Sequence, residues 1–537
     1  MPEHLIHNPI IPGNFPDPSI CRVGDDFYLA CSSFEDYPGI PIFHSRDLAN
    51  WELLGHAMTL DNGFVVDTTQ QGGGVMAPTI RYHDGTFYII NANYCHKGNY
   101  IVTATNPAGP WSEPHFLPDV PEIDASIFFD DDGKCYVVGT GYITNPDGKR
   151  ERGIWAQEFD IQNFHVVGER HEIWNCALRN AADPEAPHIF HVGEYYYLII
   201  AEGGTDFYHA VTVARARNIF DWYEGNRANP ILTHRHLGRS YPVTNIGHAD
   251  FVELPDGSWW AVMLGSRSYD GYRPFGRETF ICPMVWEQGW PVLAPGTGKV
   301  ENTYPAPQSL PWTPFPEEPA LDDFDGETLR SRWIFAGAPY QDFWRLENSS
   351  LYLKCLPRPM DRMPAPVKKL AQEEKEPVRD DCISLVMQHQ TTLDFSATTK
   401  LRFTPREEET AGLFVGSSLR SHLRIEMFQY DGVQYLSCRG FSVRSSSMWY
   451  DRQVLAKVTL EEYARVPWPD GEVVLRLISR DRKYSFLYGP DEANLTPLCE
   501  GVAPDGFRGG IIFGLFASAN GGQSGNEAAF DWFRCEE

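Results

Sequence analysis

Apolar residues in the first half of the chain fall in short runs broken by Gly and Asp, and the runs repeat. The pattern begins at Phe15-Pro16-Asp17-Pro18-Ser19-Ile20: one marked residue, a small or proline-containing step, an apolar residue, a turn at Gly24-Asp25-Asp26 and an aromatic strand Phe27-Tyr28-Leu29. It recurs at Met76 (turn His83-Asp84-Gly85, strand Phe87 to Ile90) and at Asp124 (turn Asp131-Asp132-Gly133, strand Cys135 to Val138). Two more copies start at Glu185 (turn His191-Val192-Gly193, strand Tyr196 to Ile199) and His248 (turn Pro255-Asp256-Gly257, strand Trp259 to Val262). Each copy has the signature of a β-hairpin. Further runs ending in Trp51, Trp111 and Trp222 add outer strands, which makes units of about four strands.

A unit of this kind cannot bury both of its faces alone. Radial stacking around an axis solves the problem, and marked positions 48 to 63 residues apart match the length of a propeller blade. Five copies predict a five-bladed β-propeller over residues 1–302. Because the innermost strand of every blade lines the central channel, Asp17, Asp124 and Glu185 are expected to converge at one mouth. An acid before proline is ordinarily a turn residue. Three acids at matched repeat positions are harder to assign to turns, since gathered like charges disfavour one another's ionisation.

The texture then changes. Proline-rich sequence at 303–320 predicts a linker, and residues 321–537 predict a β-sandwich from runs such as Leu351 to Cys355, Leu423 to Met427 and Val473 to Leu477, with a tight turn at Asp431-Gly432. The charged stretch Lys368 to Arg379 is read as a solvated insertion. The whole is all-β. A net charge of −27 excludes nucleic acid and anionic membranes as partners and suits a neutral substrate. The N-terminus has no apolar segment, and the 11 Cys residues are odd in number with no C-x-x-C pair, so reduced thiols and a cytoplasmic location are expected.

The motifs Phe15-Pro16-Asp17-Pro18, Ser32-Ser33-Phe34-Glu35, His44-Ser45-Arg46-Asp47, Glu185-Ala186-Pro187-His188, Glu202-Gly203-Gly204-Thr205 and Gly276-Arg277-Glu278-Thr279 resemble those of glycoside hydrolase family 43, specifically its two-domain β-xylosidases. The resemblance implies a propeller followed by a concanavalin-like β-sandwich, and inverting, exo-acting release of xylose from short xylo-oligosaccharides, often with α-L-arabinofuranosidase activity. It implies Asp17 as general base, Glu185 as general acid, and Asp124 as the acid that orients Glu185 and raises its pKa. For inversion the first two should stand roughly 6.5–9.5 Å apart. Arg277, Phe34, Thr205 and Met76 are the implied sugar-contacting residues, with Phe507 from the sandwich closing the pocket. His248 is either a hydrogen-bonded core group or a channel ligand for a structural calcium ion. The chemistry itself needs no cofactor, and the resemblance implies a homo-oligomer, since relatives are often dimers or tetramers. Met76 and Ile123 depart from the aromatics common at these positions. The departure leaves two alternatives open: an enzyme acting chiefly on arabinofuranosides, or a catalytically silent glycan-binding propeller.

Overall fold

The computed structural model describes residues 4–63, 73–93, 96–178, 183–361, 382–444, 457–503 and 510–537. Phe507 and the stretch Lys368 to Arg379 lie outside the described residues. Five four-stranded antiparallel sheets form the blades of a propeller. Their innermost strands are Ser19–Val23, Thr79–His83, Ser126–Phe129, Glu185–Val192 and Val243–Glu253, and each is joined by the expected Gly/Asp turn to the aromatic strand beside it. Ile20, Ile80, Ile127, Ile189 and Phe251, the apolar residues of the five repeats, are all buried. Blade-to-blade packing of this set replaces the second sheet that each blade lacks.

The ring is closed by the chain's two ends of the propeller. Leu5–His7 pairs with Thr303–Pro305, and the Asn8 side chain donates to the Ile281 and Glu301 carbonyls at 2.8 and 2.9 Å. The proline-rich segment therefore starts as part of the closure. Residues after it form one eight-stranded sheet and seven strands of a second. Their facing sides enclose one core that includes Trp333, Phe343, Leu413, Ile425, Leu475, Phe486, Leu515 and Phe533. Ser421–Tyr430 and Val433–Arg444 make the expected hairpin, with Asp431 and Gly432 both at positive φ (48° and 74°), the backbone a two-residue turn of this kind needs.

Two features depart from the sequence reading. Cys438 was expected as a reduced core thiol; it is joined to Cys499 as a disulfide that links the two sheets of the sandwich. Spacing in the sequence carries no information about such a pairing. The second is a two-residue strand, Asp36–Tyr37, which leaves the first blade and pairs with Ile334–Ala336 as the last member of a sandwich sheet. Among the described residues no helix is long and apolar enough to cross a membrane.

Candidate active site

Three of the five marked positions, and the residue after a fourth, share a left-handed backbone. Asp17 (φ 57°) and Asp124 (φ 59°) each sit two residues before an innermost strand, and Ala186 (φ 49°) and His248 (φ 51°) repeat the left-handed turn in the fourth and fifth blades. Non-glycine residues hold that conformation only where the surroundings enforce it. Here the turn directs side chains of successive blades to the mouth of the channel, and Asp17, Asp124 and Glu185 lie close enough there to act on one another's ionisation.

Asp17 is buried at 5% exposure. Its Oδ2 accepts from Ser32 Oγ at 2.6 Å and its Oδ1 from Arg277 Nη1 at 2.9 Å. His248 Nδ1 stands 3.5 Å from the same Oδ1. Burial is the largest single influence and would raise the pKa. Arg277, His248, Ser32 and His209 together outweigh it and hold the carboxyl below its usual range.

Glu185 is displaced the other way. Burial, the charge of Asp183 and then that of Asp17 raise it to about 7, against the opposing Arg152 and Arg277. Asp124 is also pushed well up, first by burial and then by Glu185 and Asp17, while Arg277 and the Ala186 N–H oppose the shift. Asp124 and Glu185 therefore titrate as a coupled pair. Asp183, exposed two residues upstream, is the first charged contributor to the Glu185 shift, and the repulsion between Asp124 and Glu185 appears on the Asp124 side of the pair.

Arg277 also spans the pocket wall, with its guanidinium 5.4 Å from the centre of the Phe34 ring. Phe34 exchanges two backbone hydrogen bonds with Val75, the residue before Met76, at 2.8 and 3.0 Å. Met76 is half-buried, and its carbonyl accepts from Asn91 Nδ2 at 2.6 Å. Phe34 and Arg277 are thus linked to Asp17, and Met76 follows the residue that pairs with Phe34. Ile123 is half-buried next to Asp124, and Thr205 lies exposed on the loop after Glu202. Glu202 is itself structural, since its carboxylate accepts the Ala177 and Leu178 N–H groups and the Thr212 hydroxyl.

His248 is buried, and burial lowers its pKa, so it faces Asp17 as a neutral imidazole at neutral pH. Among the described residues the group of three whose ligand atoms could hold a metal ion is Asp130, Asp131 and His191, and His248 is not part of it.

Four contributors were not singled out in the sequence: Ser32, Asp183, Arg152 and His209. Ser32 stands in a quoted motif, two residues before Phe34. His209 donates from Nδ1 to the Asn245 carbonyl at 2.9 Å and packs against the backbone of Gly247, where a Cβ would collide with its ring.

Comparison with known proteins identifies the family. Residues 6–291 match the model for glycosyl hydrolases family 43, and residues 321–536 match the β-xylosidase C-terminal concanavalin A-like domain. The chain is 38% identical to a xylosidase/arabinosidase of Butyrivibrio fibrisolvens over 99% of both proteins. It is 35% identical to a non-reducing-end α-L-arabinofuranosidase of Bacteroides ovatus, over 99% of this chain and 95% of that one. A crystal structure of a xylan β-1,4-xylosidase from Bacillus halodurans superposes with a TM-score of 0.83 at 29% identity, covering 99% of this chain and all of the other. The chain belongs to glycosyl hydrolase family 43 and is a glycosidase with a five-bladed propeller and a concanavalin-like sandwich.

Proposed function

We propose that the enzyme is an inverting, exo-acting β-D-xylosidase that also hydrolyses α-L-arabinofuranosides of small substrates. One observation carries the mechanism: two carboxyls at the same mouth are displaced in opposite directions, Asp17 downward and Glu185 up to about 7. Glycoside hydrolysis with inversion requires one ionised carboxylate to activate water and one protonated carboxyl to supply the leaving oxygen with a proton. Asp17 is the general base, kept ionised by Arg277 and aimed by Ser32. Glu185 is the general acid. Asp124 is the positioning acid, held against the backbone of Glu185's own strand through the Ala186 N–H.

In this assignment Arg277 both tunes Asp17 and reaches the sugar bound against Phe34. Met76 offers no flat ring to the sugar, which leaves the pocket room for a furanose as well as a pyranose. The similarity to a B. ovatus arabinofuranosidase supports the second activity. A propeller that only binds glycans would have no use for a proton donor poised near neutrality. No step requires a cofactor. A calcium ion carried by His248 would take its remaining ligands from water, and thermal unfolding with and without EDTA tests for one.

The decisive experiment is proton NMR of the xylose first released from 4-nitrophenyl β-D-xyloside, whose other product is not a sugar, run beside 4-nitrophenyl α-L-arabinofuranoside. Appearance of α-xylose first is the expected result. Appearance of β-xylose first would refute the assignment of Asp17 as a base acting on water.

A further inference from the structure

We propose that the sandwich domain sets the shape of the sugar pocket through Tyr37, a positioning residue that acts on Phe34. This rests on the reading of Phe34 as the wall of the sugar pocket. Six consecutive residues connect the base to the sandwich. Ser32 donates to Asp17. Ser33 O accepts the Asp36 N–H at 2.9 Å, which folds the segment into a tight turn. Phe34, inside that turn, holds φ 50° and faces Arg277. Glu35 O accepts the Gly337 N–H at 2.8 Å, from the sandwich. Asp36 and Tyr37 then pair in register with Ala336 and Phe335.

A two-residue strand has no stability of its own. Its order is borrowed from the seven other strands of the sheet it ends, and Tyr37 makes a ring contact across that pairing. The ring stacks on Phe335 with centroids 5.9 Å apart and planes 19° from parallel. The hydroxyl accepts the Leu60 N–H at 3.3 Å, which ties the same ring to the far end of the first blade. Phe34 is therefore fixed on one side by Val75 of the propeller and on the other by the sandwich, three residues away. Removing the sandwich contact leaves the three acids in place and frees the wall.

The test is a double-mutant cycle on the full-length enzyme with xylobiose as substrate. Tyr37→Ala should raise KM roughly three- to tenfold, an anchor-sized loss of binding, with kcat within about twofold. Tyr37→Phe keeps the ring and should keep the wild-type KM. Phe34→Ala should raise KM as well, and Tyr37→Ala added to Phe34→Ala should raise it no further, because the first acts only through the second. Fully additive effects, or a Tyr37→Ala loss confined to kcat, would overturn the inference while leaving Phe34 in the pocket. An unchanged KM for Phe34→Ala alone would instead remove the reading on which it rests. If Tyr37→Ala does not fold, Phe335→Leu weakens the same contact from the sandwich side and enters the same cycle.

Discussion

Arg277 donates to Asp17 at 2.9 Å, and its charge is the largest of the influences that hold the candidate base below the usual carboxylate range. Burial pushes the Asp17 carboxyl up, and Arg277 leads the reversal. In Arg277→Met the Asp17 pKa should rise, so the acid limb of the kcat/KM profile should move to higher pH, by about one unit or more given that a close opposite charge shifts a carboxyl by about 1–3 units. The activity near pH 7 should fall about tenfold because Arg277 also reaches the sugar, while protonation of Asp17 accounts for the shifted limb. A profile with its acid limb in place would show that some other group is the base.

The basic limb belongs to Glu185. Its carboxyl must be protonated to act and is raised to about 7, so wild-type kcat/KM should decline as pH climbs through that value. Asp183→Asn removes the largest charged cause of the upward shift. The basic limb should then move to lower pH while the acid limb stays where it was. Movement of both limbs together would mean that Asp183 acts on the fold of the site and not on the charge of Glu185.

Glu185→Gln removes the proton donor with little change of shape. Turnover of xylobiose, whose leaving oxygen needs a proton, should fall by roughly 10²–10⁴. Turnover of 2,4-dinitrophenyl β-D-xyloside, whose leaving group departs as an anion, should fall far less. Equal losses on both substrates would assign Glu185 to a role other than proton donation.

The propeller was legible because every blade must solve the same burial problem with the same apolar positions, from Ile20 to Phe251. The acids were legible because the repeat gives them equal depth. What escaped is structure set by remote partners. Asp36–Tyr37 is too short to show a period of two, and its partner lies nearly three hundred residues away in Phe335. The Cys438–Cys499 disulfide depends on which strands of opposite sheets face each other. Asp183 looks like any exposed acid in a loop, and only the fold sets its charge against that of Glu185.

Below the candidate site the channel contains a buried ion pair with a stability of its own to test. Asp250, with no exposed surface, accepts from Arg81 Nη1 at 2.8 Å and Nη2 at 3.2 Å, and from Ser19 Oγ at 2.7 Å. Burial would raise its carboxyl, but Arg81, His188 and Ser19 bring it down to about 2. A folded-state pKa below the unfolded value of about 3.9 makes the ionised Asp250 stabilising above that value, and the contribution fades as pH falls through about 2. Arg81→Met leaves the charge buried and uncompensated, which should cost about 3–5 kcal/mol at pH 7. With Arg81 gone, burial prevails and Asp250 takes up a proton at higher pH than in the wild type. The deficit, read from urea unfolding of both proteins across pH 3–7, should therefore narrow on acidification. A deficit of the same size at every pH would mean that Arg81 stabilises the channel by filling space, with no electrostatic part.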